Sequence, residues 1–351
     1  MSAAVSGKHV WRDPRACSVL GLGFALPGEP VTNDELLIRM REQFGVDIER
    51  AGRMVAAKLA VTSRHICRNF LERREPPRRG DDNAHLAARA VSAALEEAAI
   101  DVADLSFLIG HTCSPNQAVP PNIAEVADLL GFAGPYLELR QACTGFANAL
   151  ITARGLLSAP GCGPVAIVGS ECGSLFFDPA RAGADHGQLV NLMQMGDAAA
   201  ACIVASGVHG GKGTLSHVYF GQEGAGRMPG FALDARGAEY RHDFAAVRAS
   251  GAELFKHGLA AARSMSIEPQ HVERIIPHQV SGHIGEQLAS HFGLPSDQFF
   301  VNADKVGNTG SAAIWLALAQ LRPQLSRGHR VLVLGAEATK YMYGGFLYVH
   351  G

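Results

Sequence analysis

The chain lacks the marks of a metalloprotein, a disulfide scaffold or a membrane protein. Its seven cysteines, Cys17, Cys67, Cys113, Cys143, Cys162, Cys172 and Cys202, contain no C-x-x-C pair, and an odd count does not suit a closed disulfide framework. A reducing cytoplasm is the compartment this implies. The 15 histidines are scattered without H-E-x-x-H or Cys/His finger spacing, so no metal site is expected. No apolar run approaches the ~18 residues that span a bilayer. The N-terminus carries Lys8, Arg12 and Arg15 but no apolar signal-peptide core. A net charge of -2 gives no global attraction to nucleic acid or to anionic membrane.

What is present is apolar surface to bury. The apolar fraction is 47% and the charged fraction 18% over 351 residues, enough for two domains or one large one. The 40 glycines and abundant alanine suit close packing of helices on sheet. Residues 16–26 read as a strand ending at the Pro27-Gly28 turn, and Asn33 reads as the cap of a helix containing Leu36, Leu37 and Met40. Helices are expected over 83–99, 122–130, 243–265, 281–292 and 310–321. Strands are expected over 105–110, 165–169, 202–205, 274–276 and 330–334. Residues from the end of the 165–169 strand to Gln194 read as loop. Alternation of strand and helix argues an α/β layered fold.

Residues 64–83 read as a basic loop with Arg64, Arg68, Arg73, Arg74, Arg78 and Arg79. It suits either a solvated loop or a patch for an acidic partner or a phosphate tail. The chain also echoes itself weakly. Residues 105–111 resemble 272–278, each ending in histidine, and 165–171 resemble 331–337, each ending in Gly-x-Glu. The two offsets are nearly equal, which suggests a duplicated half. The same offset carries Cys143 onto Gly310, beside Asn308.

The chemistry centres on Cys143. It precedes Thr144-Gly145 and an alanine- and leucine-rich helix, so it stands at a helix start, where the dipole and free N–H groups favour a thiolate. Gly145 leaves room for a close approach. A lone cysteine is more often a small buried hydrophobe. Two distant stretches change that weighing. Pro277-His278-Gln279 ends an apolar strand, where ligands commonly meet an α/β sheet. Val306-Gly307-Asn308-Thr309-Gly310 is a turn before an apolar helix. A thiolate attacks a thioester to give an acyl-cysteine. A neutral histidine and an asparagine then donate to one oxygen that gains negative charge, such as the enolate of a malonyl thioester losing carbon dioxide.

Ala142-Cys143-x-Gly145-Phe146, Pro277-His278-Gln279 and Gly307-Asn308-Thr309 resemble the β-ketoacyl-acyl carrier protein synthase III family of the thiolase superfamily. Gly21-x-Gly-x-x-Leu26-Pro27, Arg64-His65-Ile66, Val168-Gly169-Ser170-Glu171 and Gly196-Asp197-x-Ala199 extend the resemblance over nearly the whole chain. It implies a five-layered αβαβα fold of two pseudo-duplicated halves, 1–185 with nucleophile Cys143 and 186–351 with His278 and Asn308. It implies a homodimer, a catalytic set of Cys143, His278 and Asn308, and acyl transfer followed by decarboxylative condensation with a malonyl thioester. The substrates it implies are acyl-coenzyme A or acyl carrier protein, with no permanently bound cofactor. It also implies that Val119 reaches the partner's acyl pocket.

The chain departs from the family at its docking positions. Met54 stands where the family has a tryptophan, and Lys58 near its adenine-stacking arginine; a lysine does not stack as a guanidinium does. His283 replaces an arginine that helps dock carrier protein. Lys58 and His283 are thus the candidate coenzyme A or carrier-protein contacts. The family's C-terminal triple-glycine loop gives way to residues 335–345, where Thr339 or Lys340 is the expected second oxyanion donor. These changes suggest a specialised member in secondary or unusual-lipid metabolism. Two other readings stand beside condensation: acyl transfer to an alcohol or amine, and a catalytically silent partner subunit.

Overall fold

A computed structural model describes residues 9–68, 81–207, 211–234 and 239–351. The first strands are β1 (Trp11–Asp13) and β2 (Cys17–Ala25), followed by β3 (Val31–Thr32). Helix α1 (Asn33–Phe44) is capped by Thr32, not by Asn33 as its sequence suggests. The Thr32 hydroxyl accepts from the Glu35 N–H at 3.2 Å, while the Asn33 carboxamide turns away to donate to the Val61 carbonyl. Helix α2 (Glu49–Leu59) and strand β4 (Ser63–Arg64) come next. Then follow α3 (Asn83–Ala98), β5 (Phe107–His111), α4 (Asn122–Leu130), β6 (Tyr136–Leu139), α5 (Gly145–Leu157) and β7 (Val165–Glu171).

Residues before Gln194 hold a helix, α6 (His186–Gln194), where the sequence reads as loop. Asp185 caps it by accepting from the Gly187 and Gln188 N–H groups. Residues from Gln188 to Gln194 are all buried, so the polar stripe of Gln188, Asn191 and Gln194 faces protein rather than water and does not mark a solvent-facing helix. Beyond it lie β8 (Ala198–Ala205), β9 (Gly213–Gln222), β10 (Phe231–Asp234), β11 (Glu239–His242) and α7 (Phe244–Arg263). The chain ends through β12 (Arg274–Pro277), α8 (Ile284–Phe292), α9 (Ala303–Val306), α10 (Ala313–Leu321), β13 (Arg330–Glu337) and β14 (Met342–His350). The stretch 335–345 is therefore not a loop: its ends belong to β13 and β14.

The principal sheet runs β12-β13-β14-β9-β2-β8-β7-β5-β6, with β1 beside β9. It doubles back where the start of β2 pairs with β9 over Cys17–Val19. Alternation along the strands shows what each face covers. Val165 and Ile167 of β7 join one core with Phe146 and Leu150 of α5 and Trp315 and Leu318 of α10. Ala166 and Val168 face the other way, onto Ala90, Val91 and Ala94 of α3. In β13, Val331 and Val333 face α5 and α10, while Leu332 and Leu334 face α7 and α8. The order of layers is α3 and α4, sheet, α5 and α10, sheet, α7 and α8, the expected five-layered αβαβα arrangement.

The echo in the sequence has a topological counterpart. β5 pairs parallel with β7 and β7 antiparallel with β8; β12 pairs parallel with β13 and β13 antiparallel with β14. β8 lies beyond residue 185 yet pairs with β2 and β7.

The centre is closed by three aromatic rings. Trp315 stacks on Phe346 at 5.5 Å and meets the edge of Phe146 at 6.2 Å. Gly344 lies alongside because a Cβ there would come within 2.7 Å of the Ala147 Cβ of α5. Trp315→Ala is expected to lower unfolding free energy by ~3–5 kcal/mol, the usual range for emptying a buried aromatic site. A denaturant titration reads this as a lower midpoint.

Candidate active site

Cys143 lies in the turn between β6 and α5 and is half-buried. The turn closes when the Gly145 N–H donates to the Ala142 carbonyl at 2.9 Å. Gly145 has no alternative there: a Cβ would fall 2.5 Å from Nδ1 of His111, which lies beneath the turn. Thr144 does not cap α5 with its side chain. Its N–H and Oγ1–H instead both donate to Glu337 Oε2, at 2.8 and 2.6 Å. Thr339 Oγ1 donates to the other oxygen of the same carboxylate. The Thr144 hydroxyl also accepts from Gln141 Nε2 at 2.9 Å.

This setting reverses the expected direction for the thiol. Burial, and then the negative charges of Glu337 and Glu171, push Cys143 well above the ordinary cysteine range, against a lowering contribution from its own backbone N–H. The helix start does not overcome desolvation and two buried acids. The setting therefore favours the thiol over the thiolate.

His278 follows β12, and its N–H donates to the Leu334 carbonyl of β13 at 2.8 Å. Its side chain is buried, with Nδ1 unpartnered. Burial lowers its pKa from 6.5 to about 4, so the imidazole is neutral at pH 7. Gln279 fixes the turn after it: Oε1 accepts from the Asn302 and Ala303 N–H groups, and Nε2 donates to the Phe300 carbonyl. Asn308 lies in the turn after α9, with Oδ1 accepting from the Gly310 N–H at 3.1 Å.

Hydrogen bonds connect the three turns. Gln194 links two of them, because its carbonyl accepts the Asn308 N–H at 2.8 Å while Nε2 donates to the Val280 carbonyl, two residues past His278. Ser311 Oγ lies 3.4 Å from the Gln141 carbonyl, so the Asn308 turn touches the Cys143 turn. Glu337 ends the strand that pairs with β12 and reaches Thr144. Glu171 Oε2 accepts from the Ser311 N–H and Oγ–H, at 3.3 and 2.7 Å, and Oε1 from the Ser114 hydroxyl.

The two expected docking residues are neighbours. The Gly282 N–H donates to the Leu59 carbonyl at 2.8 Å, which sets His283 beside the end of α2 and its exposed Lys58. His283 Nδ1 is 3.2 Å from Glu286 Oε2. Met54 is 64% exposed one turn before Lys58, and Val119 is 84% exposed. Two arginines of the basic stretch 64–83 are tied into the fold. Arg64 is fully buried and donates to the Val31 and Met193 carbonyls and to Asn33. Arg68 is half-buried and donates to the Ser174 and Phe177 carbonyls. Arg73, Arg74, Arg78 and Arg79 lie outside the described residues. Among the described residues no metal-holding cluster of His, Cys, Asp and Glu occurs, and no helix is long and apolar enough to cross a membrane.

Sequence reading missed Glu337, Gln194 and His111. Glu337 was visible only as a copy of Glu171 in the internal echo. Lys340 Nζ donates to the Arg227 carbonyl, and the Thr339 hydroxyl is committed to Glu337; only their backbone N–H groups are relevant to an oxyanion.

A family model described as 3-oxoacyl-[acyl-carrier-protein (ACP)] synthase III matches residues 137–224, which include Cys143. The model for the C-terminal part of the same synthase matches residues 262–347, which include His278 and Asn308. A β-ketoacyl-[acyl-carrier-protein] synthase III from Nitratidesulfovibrio vulgaris is 31% identical over 280 residues, covering 72% of this chain and 80% of its own. Among solved structures, AbyA1, described as a tetronic acid condensing enzyme, superposes with a TM-score of 0.84 at 25% identity, covering 95% of this chain and 99% of its own. The 3-oxoacyl-(acyl carrier protein) synthase III of Pseudomonas aeruginosa PAO1 gives 0.78 at 25% identity, covering 96% and 98%.

The depressed pKa of His278 has a defined sign. Between its ordinary value of 6.5 and about 4, the unfolded chain binds a proton that the folded chain refuses. Stability from the neutral ring is present above pH 6.5 and is lost as pH falls toward 4. An NMR titration should show His278 neutral at pH 6 and half-protonated near 4; a midpoint near 6.5 would contradict its burial.

Proposed function

The chain belongs to the 3-oxoacyl-[acyl-carrier-protein] synthase III family, and from that membership we propose that Cys143 takes an acyl group from a thioester and passes it to a second substrate by condensation. Membership makes the chain an acyltransferase-type enzyme with a thiolase-like fold. The observation that carries the finer reading is the hydrogen-bonded junction of the Cys143, His278 and Asn308 turns.

In this reading the neutral imidazole of His278 accepts the Cys143 proton as sulfur attacks the thioester carbonyl. The thiol leaving group departs with a proton, and an acyl-cysteine remains. Backbone N–H groups at Cys143 and at Thr339 are the candidate oxyanion donors. A malonyl thioester then enters. Its carbon–carboxylate bond breaks, carbon dioxide leaves, and His278 and Asn308 donate to the enolate oxygen. The enolate carbon attacks the acyl carbonyl, sulfur is released, and a new carbon–carbon bond forms. Two neutral donors suit an oxygen that becomes anionic only during reaction.

Acyl-coenzyme A or acyl carrier protein is the proposed donor, with Lys58 and His283 at the entrance. The departures at Met54 and Lys58 alter the coenzyme A contacts and that at His283 the carrier-protein contact, so neither donor is favoured over the other. Exposed Tyr136 and Leu137 on edge strand β6 and the 84% exposed Val119 support a homodimer. The likeness to a tetronic acid condensing enzyme supports a specialised role over a housekeeping one. Acyl transfer to an alcohol or amine is the alternative with the same first step.

Incubation with a panel of acyl-coenzyme A and acyl-carrier donors should add one acyl mass to the intact protein, and Cys143→Ala should abolish it. His278→Ala should slow loading on the order of a hundredfold, the typical share of a general base. Addition of malonyl-carrier protein should release carbon dioxide and a 3-oxoacyl product. Loading without carbon dioxide release, with the acyl group on a hydroxyl or amine, would replace condensation by simple transfer. Robust acetoacetyl product from acetyl-coenzyme A and malonyl-carrier protein would remove the specialised role.

A further inference from the structure

Two glutamates occupy equivalent places in the two parallel-strand pairs. Glu171 ends β7, and Glu337, 166 residues on, ends β13. Each is buried and crosses to the opposite half of the molecule. Glu171 takes the N–H and hydroxyl of Ser311, at the turn before α10. Glu337 takes the N–H and hydroxyl of Thr144, at the turn before α5. Thr144 and Ser311 are themselves 167 residues apart. The arrangement is reciprocal: each half supplies the carboxylate that holds the other half's central helix start. One held turn carries Cys143 and the other carries Asn308.

We propose that Glu337 is a positioning residue for the nucleophile, clamping the Cys143–Thr144 turn from the opposite half while Glu171 clamps the turn beside Asn308. This rests on the reading of Cys143 as the nucleophile. The clamp removes the Thr144 N–H and hydroxyl from the reaction space, and the Gly145 N–H is already taken by Ala142. The Cys143 N–H is not among the groups the clamp takes. Gln141 extends the clamp, donating to the Thr144 hydroxyl and accepting from Asn148 Nδ2 on the first turn of α5. The acids that oppose ionisation of Cys143 are Glu337, whose own carboxyl is pushed up by burial against the hydrogen bonds it accepts from Thr144 and Thr339, and Glu171; His111, beneath the turn, is held neutral by burial. A clamp made of a carboxylate also opposes ionisation of the sulfur it positions, so the thiol stays protonated until a substrate arrives.

The test is the pH profile of Cys143 alkylation by iodoacetamide, read by peptide mass, alongside thermal melting. Iodoacetamide needs no acyl substrate, so the result is independent of whether any thioester loads Cys143. Glu337→Gln keeps the shape and an acceptor but removes the charge. It should move the half-maximal pH down by about one unit, roughly tenfold more thiolate at pH 8, with Glu171→Gln moving it less. Thr144→Val keeps the charge but breaks one strand of the clamp. It should change the alkylation rate of the fully ionised thiol at least threefold, and Thr144→Ser should restore it. A Glu337→Gln profile superimposed on the parent, or a shift no larger than that of Glu171→Gln, overturns the proposal. Should Glu337→Gln fail to fold, a Thr144→Val rate equal to the parent's does so.

Discussion

Two helices, α5 and α10, are sealed between two layers of one folded sheet, and both begin at the centre of the molecule. Every feature of the candidate site follows from that constraint. A buried helix start leaves N–H groups that must find acceptors away from water. Here the acceptors are the carboxylates of Glu337 and Glu171. Placing those acids fixes the ends of β13 and β7, and those strands in turn set where His278 and the Ser311 turn come to lie. Burial and site geometry are therefore one problem, solved together.

The same dry centre sets the protonation states. Burial pushes the Cys143 thiol up and the His278 imidazole down, so both rest neutral. In the proposed reaction charge separates only as the proton moves from sulfur to ring, and ionisation is coupled to arrival of the thioester. The buried acids strengthen this coupling, because a permanent thiolate beside them would be doubly costly.

Much of this was legible in the sequence where a local pattern is unambiguous. The β2, β7 and β13 strands, the α3 and α7 helices, and the motifs around Cys143, His278 and Asn308 are read from periodicity and residue type. The internal echo foretold the paired β5–β7 and β12–β13 units. What escaped was set by tertiary context. α6 is buried over Gln188–Gln194 although Gln188, Asn191 and Gln194 are polar, and it carries Gly187 in its first turn. β14 contains Gly344 and Gly345, which look like a turn; Gly344 is small because Ala147 of α5 lies against it, and Gly345 because the Val333 carbonyl and the Tyr219 ring do. Arg64 looks like a docking cation and is buried under carbonyl groups. A helix start beside Cys143 is visible in sequence, whereas the burial that opposes ionisation there, and the convergence of Glu337 and Glu171 on the same turn, are set by tertiary structure. The crossed pairing of Glu337 with Thr144 depends on a contact 193 residues apart.

The central claim is that sulfur, imidazole and carboxamide serve one acyl group. A crystal structure of the protein after loading from an acyl thioester tests it most directly. The account predicts a thioester on Cys143 whose carbonyl oxygen lies about 3 Å from the Cys143 N–H, with His278 and Asn308 side chains converging on a single adjoining space. An acyl group on another residue, or His278 and Asn308 opening into separate spaces, would contradict it.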